Sequence, residues 1–398
     1  MDPDIYYKKT LTYKYNGKEL QFRVSQDLFS SYQVDIGTQF LIRSVTLGRP
    51  FPYRKILDLG CGYGAIGITL KRLYPETEIH MVDRDALAVE YSRQNTGLNH
   101  LSVVEVYSSL GYENLMAKDY DLIISNIPAK AGEPVIKHLL EDAGYHLKTD
   151  GHVAIVVVKT LDTLVKNLLV GNSNIEFILE KTRPGHTVFE YKFKNYHLDV
   201  KSGENNIYSR GVKIFSEGEL TYRIEGAYDL EEYEELNYGT TILLDELTVL
   251  QRKSVINCLV INPGVGHVPV VLSKLFMPAE IVLIDRDLLS LKYAKNNLIL
   301  NGCPEDKITS IHQVGYTGNS GVKMDLITGF LREEEGTAPV ALTADRLAST
   351  LNSGGIMILA GSSTGITRIA ESLSHKVLLK EVNRRRYRGF SAITWKHD

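Results

Sequence analysis

The two halves of the chain repeat one another at a nearly constant spacing. The segment Glu78–Asp85 reads EIHMVDRD, and the segment 280–287 reads EIVLIDRD. Such matches recur along the chain at spacings of 200 to 204 residues. A period this long indicates two whole domains rather than a solenoid of short repeats. We therefore predict a first domain over residues 1–200 and a second over 201–398, with the boundary in the polar segment Lys201–Asn206.

Each copy shows the same order of predicted elements. A polar hairpin with the turn Asn16-Gly17 comes first. Short apolar runs such as Lys55–Leu59 then alternate with helical patterns such as Ala86–Leu98. The last two runs meet at Arg183-Pro184-Gly185, which predicts an antiparallel pair at one edge of the sheet. This order predicts an α/β protein with two tandem Rossmann-like domains, each a mainly parallel sheet with helices on both faces and a closing antiparallel hairpin.

The composition excludes several classes of protein. The 398 residues carry a net charge of −3, so nucleic acid or an anionic membrane would have to be bound by a local patch. The three cysteines have no paired spacing that would predict a disulfide framework or a metal site. No apolar run approaches the roughly 18 residues of a membrane-spanning helix. We therefore expect a soluble cytoplasmic protein with neither a metal nor a membrane span.

The segment after the first predicted strand of the first copy carries the main functional signal. Asp58 precedes a turn that contains Gly60, Gly62 and Gly64, and a helical pattern follows. Glycines in such a turn let a ligand touch bare backbone at a helix N-terminus. The same pattern also fits a dinucleotide site or a purely structural turn. Asp58 would repel a pyrophosphate but suits the ammonium and sulfonium of S-adenosylmethionine, and Asp83, after the next strand, can hold two ribose hydroxyls.

A second polar segment, Ser125-Asn126-Ile127-Pro128, follows a later strand. The Asn126 amide oxygen and the Ile127 carbonyl could accept both N–H bonds of an amine that is conjugated to a ring. These bonds would turn the lone pair of the amine toward a methyl donor, and Pro128 would fix the backbone. The alternative is that Asn126 caps a helix that begins there. Lys130 then either contacts a phosphate or faces solvent.

Together these motifs resemble the class I S-adenosylmethionine-dependent methyltransferases. The lead-in Leu28-Phe29-Ser30, followed by Asp35-x-Gly37-Thr38, narrows the resemblance to the small methyltransferase group. That group includes the tandem-domain enzymes that methylate guanine N2 in small-subunit ribosomal RNA. The resemblance implies S-adenosylmethionine as the cofactor and Thr38 as a further residue of its site. Ser108, after the third strand, stands where many relatives carry an acid for the adenine amino group, and its hydroxyl could accept that bond.

The sequence departs from the family pattern in two respects. The Asn-Pro-Pro-aromatic motif of the family is here Asn126-Ile127-Pro128-Ala129, so the aromatic residue that would stack on the target base is missing. The ribosomal enzymes also carry their working motifs in the second domain, whereas here these motifs lie in the first.

The second copy lacks parts of the motifs. In the alignment of the two copies, Asn262 takes the place of Asp58, and Val268 takes the place of the third glycine of the turn. A β-branched valine would crowd a ligand and disfavour a positive φ. Phe330 takes the place of Asn126. We therefore expect a second domain that no longer catalyses and that either presents substrate or stabilises the protein.

The densest basic cluster lies in the second copy. Arg384, Arg385, Arg386 and Tyr387 fall in its predicted closing hairpin. Arginines at a hairpin tip can meet phosphates, and a tyrosine can stack on a base. The alternative is a solvated turn whose charges offset nearby acids.

The leading interpretation of the chain is an enzyme that methylates an exocyclic amine. The expected substrate is guanine N2 of a structured RNA, ribosomal RNA in particular, with the target base flipped out. Two alternatives stay open. One is methyl transfer to a protein amide or a small molecule, and the other is a non-enzymatic RNA-binding or assembly factor that keeps a residual cofactor site.

Overall fold

The chain forms two compact units. The computed structural model describes residues 4–48, 50–195, 206–250, 255–318 and 322–398. One unit comprises Tyr7–Tyr208, and we call it the first domain. The other comprises Ser209–Asp398 together with the N-terminal residues up to Tyr6, and we call it the second domain. The expected boundary segment Lys201–Asn206 lies outside the described residues, apart from Asn206.

The first domain alternates strands and helices after an N-terminal hairpin. Its strands are β1 (Tyr7–Tyr15), β2 (Lys18–Ser25), β3 (Lys55–Leu59), β4 (Glu78–Asp83), β5 (Val104–Ser108), β6 (Tyr120–Asn126), β7 (Leu147–Val158), β8 (Ile175–Arg183) and β9 (His186–Phe193). Its α-helices are α1 (Ile36–Thr46), α2 (Ala65–Leu73), α3 (Ala86–Leu98), α4 (Glu133–Glu141) and α5 (Asp162–Gly171).

The second domain repeats this order. Its strands are β10 (Ser209–Glu217), β11 (Leu220–Ala227), β12 (Asn257–Ile261), β13 (Glu280–Asp285), β14 (Ile308–His312), β15 (Met324–Phe330), β16 (Leu351–Ser362), β17 (Leu379–Tyr387) and β18 (Phe390–His397). Its α-helices are α6 (Tyr238–Val249), α7 (His267–Phe276), α8 (Leu288–Leu300), α9 (Thr337–Ser349) and α10 (Ser363–Leu373).

Each domain contains a two-stranded hairpin and a seven-stranded sheet. The strand orders of the large sheets are β5-β4-β3-β6-β7-β9-β8 and β14-β13-β12-β15-β16-β18-β17. Five strands of each sheet run parallel, and the last two form the antiparallel hairpin that closes it. The predicted fold class, two tandem Rossmann-like domains with closing hairpins, is confirmed.

The position of β3 and β6 fixes where a ligand can bind in the first domain. Both strands are buried along nearly their whole length, as expected for a sheet that helices cover on both faces. They lie side by side, because the chain runs outward from β3 through β4 to β5 and then returns to β6. Ligands of doubly wound folds bind outside the carboxyl ends of the strands at such a reversal. The carboxyl ends of β3, β4 and β6 are therefore the place to look for a site.

One buried asparagine ties three elements of the first domain together. The Asn95 side chain of α3 is fully buried. Its Oδ1 atom accepts the Arg23 N–H at 2.7 Å, and its Nδ2 atom donates to the Arg23 and Tyr63 carbonyls at 3.0 and 2.9 Å. Asn297 of α8 makes the same three kinds of bond, to Glu225 and Val265. The hairpin, the helix and the turn after the first sheet strand are thus held by one side chain in each domain.

We predict that Asn95→Ala strongly destabilises the first domain. The substitution leaves the buried Tyr63 carbonyl and the partly buried N–H and carbonyl of Arg23 without this partner, and the loss should be about 3 kcal/mol in the free energy of unfolding. Urea unfolding of the purified protein measures it. Gln94→Ala on the same helix removes only an exposed bond to Glu90 and should change the free energy by less than about 0.5 kcal/mol. Equal transitions for the two variants would contradict this assignment.

Candidate functional site

The turn after β3 has the conformation that its glycines predict. Gly60, Gly62 and Gly64 have φ values of 75°, 57° and 89°, which residues with a side chain rarely adopt. A Cβ atom on Gly60 or Gly62 would meet nothing within 4 Å, so the backbone is open to a ligand at these two positions. A Cβ on Gly64 would lie 2.7 Å from Ile68 Cδ1. The third glycine therefore serves the packing of α2.

Two carboxylates lie at this turn. Asp58 is completely buried beneath it, and its Oδ2 atom accepts the Gly67 N–H at 2.8 Å. Its Oδ1 atom has no hydrogen-bond partner within the described part of the chain. Burial raises the pKa of Asp58 to about 7. Asp83 is partly exposed and accepts the N–H groups of Gly62 and Asp85 at 2.9 and 3.0 Å. Although the residue is partly exposed, the surrounding turn keeps water from its carboxyl group, and this desolvation raises the pKa of Asp83 to about 6.

These observations fit a cationic ligand with hydroxyl groups. A positive charge near the turn would stabilise the ionised forms of two carboxyl groups whose pKa values are raised. The open backbone at Gly60 and Gly62 admits a close approach. Ser108 ends β5 and lies in register beside Asp83, at the same edge of the sheet.

Asn126 ends β6 with a fixed side-chain orientation. Its Nδ2 atom donates to Asp35 Oδ2 and to Thr38 Oγ1, both at 3.1 Å. Because a carboxylate only accepts hydrogen bonds, the nitrogen of the amide must be the atom that faces Asp35. The Oδ1 atom of Asn126 therefore points to the opposite side and can accept a bond from a substrate. Thr38, predicted as a cofactor ligand, is held against Asn126.

Asp35 is the residue of this site that the sequence analysis missed. Its Oδ2 atom also accepts the Thr38 N–H at 2.9 Å and so caps helix α1. One carboxylate thus begins a helix and orients the Asn126 amide. In the sequence Asp35 was only part of a family motif, because its partner Asn126 lies 91 residues away.

The alternative interpretation of Asn126 as a helix cap is wrong. Helix α4 begins at Glu133 and its N-cap is Gly132, so Asn126 belongs to the preceding strand. The Ile127 N–H donates to the Val156 carbonyl at 3.0 Å, which holds the segment to β7. Pro128 and Lys130 are exposed. Their contacts with a substrate stay predictions.

The alignment of the second turn needs a correction. Ile56 of β3 pairs with Ile79, and Cys258 of β12 pairs with Ile281 in the same way. With this register Val260 corresponds to Asp58. It follows that Asn262 corresponds to Gly60, and Gly266, with φ 108°, corresponds to Gly64.

The predicted roles of Asn262 and Val268 were therefore wrong by two residues, and Val268 lies inside helix α7. Glycine spacing alone did not fix the register, because both alignments place glycines opposite glycines.

An arginine fills the corresponding region of the second domain. Arg332 follows β15, and its Nη2 atom donates to Asp285 Oδ1 at 2.6 Å. Its Nε atom donates to Asn262 Oδ1 at 3.0 Å. Asp285, the counterpart of Asp83, is consequently only 1% exposed. The guanidinium thus places a positive charge beside Asp285. The counterpart of Asp285 in the first domain, Asp83, remains accessible.

In the second domain Phe330 stands at the position of Asn126. The oriented amide of the first domain therefore has no counterpart at this position. Phe330 and Phe390 pack against Gly239, where a Cβ atom would lie 2.6 and 3.0 Å from their rings. The equivalent Gly37 of the first domain lies against the His186 ring and the Asp35 carboxylate. Phe330 thus replaces Asn126 itself and Phe390 replaces His186, while Asn237 and Thr240 keep the positions of Asp35 and Thr38.

The basic cluster is partly neutralised by its own domain. Arg384 donates two bonds of 2.8 Å to Glu381, and Arg385 bonds to Asp245 and to the buried Glu246. For these two arginines, the structure supports the alternative that their charges offset nearby acids. Arg386 and Tyr387 are exposed on β17, next to the turn as expected. Contact of the cluster with RNA stays a prediction.

The first domain combines this strand order with a glycine turn and with polar residues at the carboxyl ends of its strands. These features define a Rossmann-like domain of the methyltransferase type. The chain belongs to the family of methyltransferase small domains, whose pattern matches residues 19–204. The expected resemblance to this group is confirmed.

Several known proteins are similar to the chain. The uncharacterized protein YbxB of Bacillus subtilis is 35% identical over 153 residues, which are 38% of this chain and 75% of that protein. The ribosomal RNA small subunit methyltransferase C of Pasteurella multocida is 38% identical over 133 residues, 32% of this chain and 39% of that protein. The chain thus spans less than half of this relative. A T. thermophilus 16S rRNA N2 G1207 methyltransferase, solved with AdoMet and guanosine, shares the fold over 99% of both chains, with a TM-score of 0.69 and 15% identity.

Two kinds of feature are absent from the described residues. No helix among them is long and apolar enough to cross a membrane. Within the same residues, no group of three or more His, Cys, Asp or Glu side chains could hold a metal ion.

We predict that Asp58 makes the first domain less stable as the pH rises. Its folded pKa of about 7 exceeds the ordinary value of 3.8, so its contribution to stability is complete below pH 4 and is lost as the pH rises through 7. Asp58→Asn keeps an acceptor for Gly67 but has no charge. Between pH 5 and pH 7.5 the variant should gain roughly 2 kcal/mol relative to the wild type in urea unfolding. A constant difference across this range would refute the assignment.

Proposed function

We propose that the first domain, residues 1–200, is an S-adenosylmethionine-dependent methyltransferase that acts on an exocyclic amine. The expected substrate is guanine N2 of structured RNA, ribosomal RNA in particular. The observation that carries this proposal is the oriented amide of Asn126, which has its oxygen directed away from Asp35 and lies at the same sheet edge as the glycine turn.

The first domain offers residues for each part of the cofactor. Gly60 and Gly62 would admit it at the open backbone of the turn, and Asp83 would accept bonds from its ribose hydroxyls. Ser108, beside Asp83, would reach the adenine amino group. The negative charge of Asp58, just beneath the turn, would favour the cationic end of the molecule. When bound, S-adenosylmethionine supplies a methyl group that its sulfonium already activates.

Asn126 and Ile127 would prepare the amine for attack. The lone pair of an amine on an aromatic ring is delocalised, so the amine is a poor nucleophile. Bonds from its two N–H groups to the Asn126 amide oxygen and the Ile127 carbonyl would direct the lone pair out of the ring plane. The product amine then loses one proton to solvent. Positioning of this kind supplies much of the acceleration, on the order of several kcal/mol.

The names of the relatives favour RNA over the other substrates. Two of the relatives, with 38% and 27% identity, are ribosomal RNA methyltransferases of the small and the large subunit. A protein amide or a small molecule is the second candidate, and a non-enzymatic RNA-binding or assembly factor is the third. We also propose a cytoplasmic location, which suits the three buried, unpaired cysteines, Cys61, Cys258 and Cys303.

We further propose that the second domain, residues 201–398, is degenerate and serves substrate presentation or stability. The ion pair of Arg332 with Asp285 and the two phenylalanine rings at Gly239 support this role. An arginine that is hydrogen-bonded to two partners would have to leave before a cofactor could enter.

The direct test is transfer of a radiolabelled methyl group. Labelled S-adenosylmethionine and the purified protein are added to an extract of a strain that lacks the gene, and RNA, protein and small molecules are then separated. We expect label in RNA, recovered as N2-methylguanine after digestion. Label in protein or small molecules alone would establish the second candidate, and no label in any fraction would favour the third.

Asn126→Ala should abolish most of the turnover and leave cofactor affinity within a few-fold. The loss of one positioned acceptor should cost the transition state about 2–4 kcal/mol, which corresponds to a 30- to 1,000-fold lower kcat. Single-turnover kinetics and titration calorimetry measure the two quantities. Full activity of the variant on the natural substrate would exclude the amine mechanism.

Asp35→Asn is the companion variant. Asn237 caps the equivalent helix α6, so an asparagine should preserve the fold at this position. A neutral acceptor holds the Asn126 amide less firmly than a carboxylate does. We expect kcat to fall less than in Asn126→Ala, with unchanged cofactor affinity.

Arg386→Ala should weaken RNA binding and lower its dependence on salt by roughly one counterion. The residue is exposed on β17. Arg384→Ala is the matched control, because Arg384 is already bonded to Glu381. Binding isotherms at several salt concentrations measure both variants. Identical salt slopes for Arg386→Ala and the wild type would show that Arg386 does not contact an RNA phosphate.

A further inference from the structure

The segment between β2 and α1 exposes two aromatic rings. The side chains of Phe29 and Tyr32 are 72% and 74% exposed, although aromatic residues usually bury most of their surface. Between and beside them, Leu28, Ser31 and Val34 are buried. The segment is therefore anchored to the domain, and it presents these two rings outward.

Two lysines surround one of these rings. Lys8 Nζ lies 3.9 Å and Lys9 Nζ 4.9 Å from the centroid of the Tyr32 ring. Lys8 also donates to Ser31 Oγ at 3.3 Å, and Lys9 donates to the Tyr32 carbonyl at 3.0 Å. In a protein with a net charge of −3, this is a local positive patch with exposed aromatic surface. We call these four residues, Lys8, Lys9, Phe29 and Tyr32, the aromatic-lysine patch.

The patch lies close along the chain to Asp35, which holds Asn126. Three residues after Tyr32 the chain reaches Asp35, whose carboxylate holds Asn126. Three residues of extended chain span at most about 11 Å between Cα atoms. Tyr32 therefore lies close to the residues that are expected to hold the target amine.

The second domain provides an internal comparison. The segment between β11 and α6 has the same length, and Glu232 there has φ 67°, like Ser30 with φ 58°. With this register the counterparts of Phe29 and Tyr32 are Glu231 and Glu234, both exposed. Glu234 forms ion pairs with Arg210 and Lys213 of its own domain. Arg210 and Lys213 also lie over a ring there, that of Tyr233, at 4.3 and 4.5 Å. Carboxylates at positions 231 and 234 would nevertheless repel a phosphate, so the two domains differ in charge where the first exposes Phe29 and Tyr32.

We propose that the aromatic-lysine patch binds an unpaired nucleotide of the RNA substrate, with Phe29 or Tyr32 stacked on a base and Lys8 and Lys9 on phosphates. The combination of exposed rings and lysines is the one by which single-stranded nucleic acid is bound. The patch supplies, from a different element, the aromatic surface that is missing where Ala129 follows Asn126-Ile127-Pro128. This inference rests on the proposed function, since it names the substrate contact of the same site.

The test uses the full chain with Phe29→Glu and Tyr32→Glu together, the residue type that the second domain carries at these positions. Binding of an unstructured RNA oligonucleotide and the KM for RNA methylation are measured, together with S-adenosylmethionine affinity by calorimetry. Stacking of one base is worth a factor of about 5 to 150, and phosphate repulsion adds to it, so we expect RNA affinity to fall at least tenfold. Cofactor affinity should be unchanged. Met116→Ala, an equally exposed apolar residue of another loop, serves as the control.

The outcomes separate the two proposals. If the wild type methylates RNA and the double variant keeps the wild-type KM and RNA affinity, the patch proposal is wrong and the proposed function stands. If the wild type neither binds nor methylates RNA, both fail. If the double variant also loses cofactor affinity, its effect is a structural one, and Lys8→Ala with Lys9→Ala decides. A lower salt slope of RNA binding in that variant supports the patch, and an unchanged slope overturns it.

Discussion

The site depends on one buried amide that holds the glycine turn in place. Asn95 bonds to the hairpin strand β2 and to the Tyr63 carbonyl, and Asn297 does the same in the second domain. A turn with three glycines at positive φ has little stability of its own, since glycine loses much conformational freedom on folding. The asparagine bonds, together with the Gly62 bond to Asp83, compensate for this loss and fix the turn at the sheet edge. Both domains share this constraint, so the scaffold alone does not separate them.

What separates the two domains is the group that faces the turn. In the first domain Asp83 stays accessible, and the Asn126 amide turns its oxygen away from Asp35. In the second, Arg332 forms an ion pair with Asp285, and Phe330 stands in place of the amide. An arginine is always charged and pairs readily with a carboxylate. The second domain thus keeps its acid and its fold, because the Arg332 guanidinium satisfies the Asp285 carboxylate, whose counterpart Asp83 stays accessible in the first domain.

Local patterns were sufficient to predict most of the fold. The bounds of β3 and α3 agree with those expected, because a short apolar run and a helical pattern capped by Asp85 depend on neighbours along the chain. The contacts of Asp35 with Asn126 and of Arg332 with Asp285 were not foreseen. They join residues that lie 91 and 47 positions apart, and only the packed sheet brings them together. The register of the second turn failed for a similar reason, since strand pairing rather than glycine spacing determines it.

The two domains share one scaffold, and we propose that only the first keeps an open cofactor site. Titration calorimetry with S-adenosylmethionine counts the sites in the chain. We expect a stoichiometry near one per chain, binding that is lost in Asp83→Ala, and binding that is retained in Asp285→Ala. A stoichiometry near two, or loss of binding in Asp285→Ala with retention in Asp83→Ala, would contradict it.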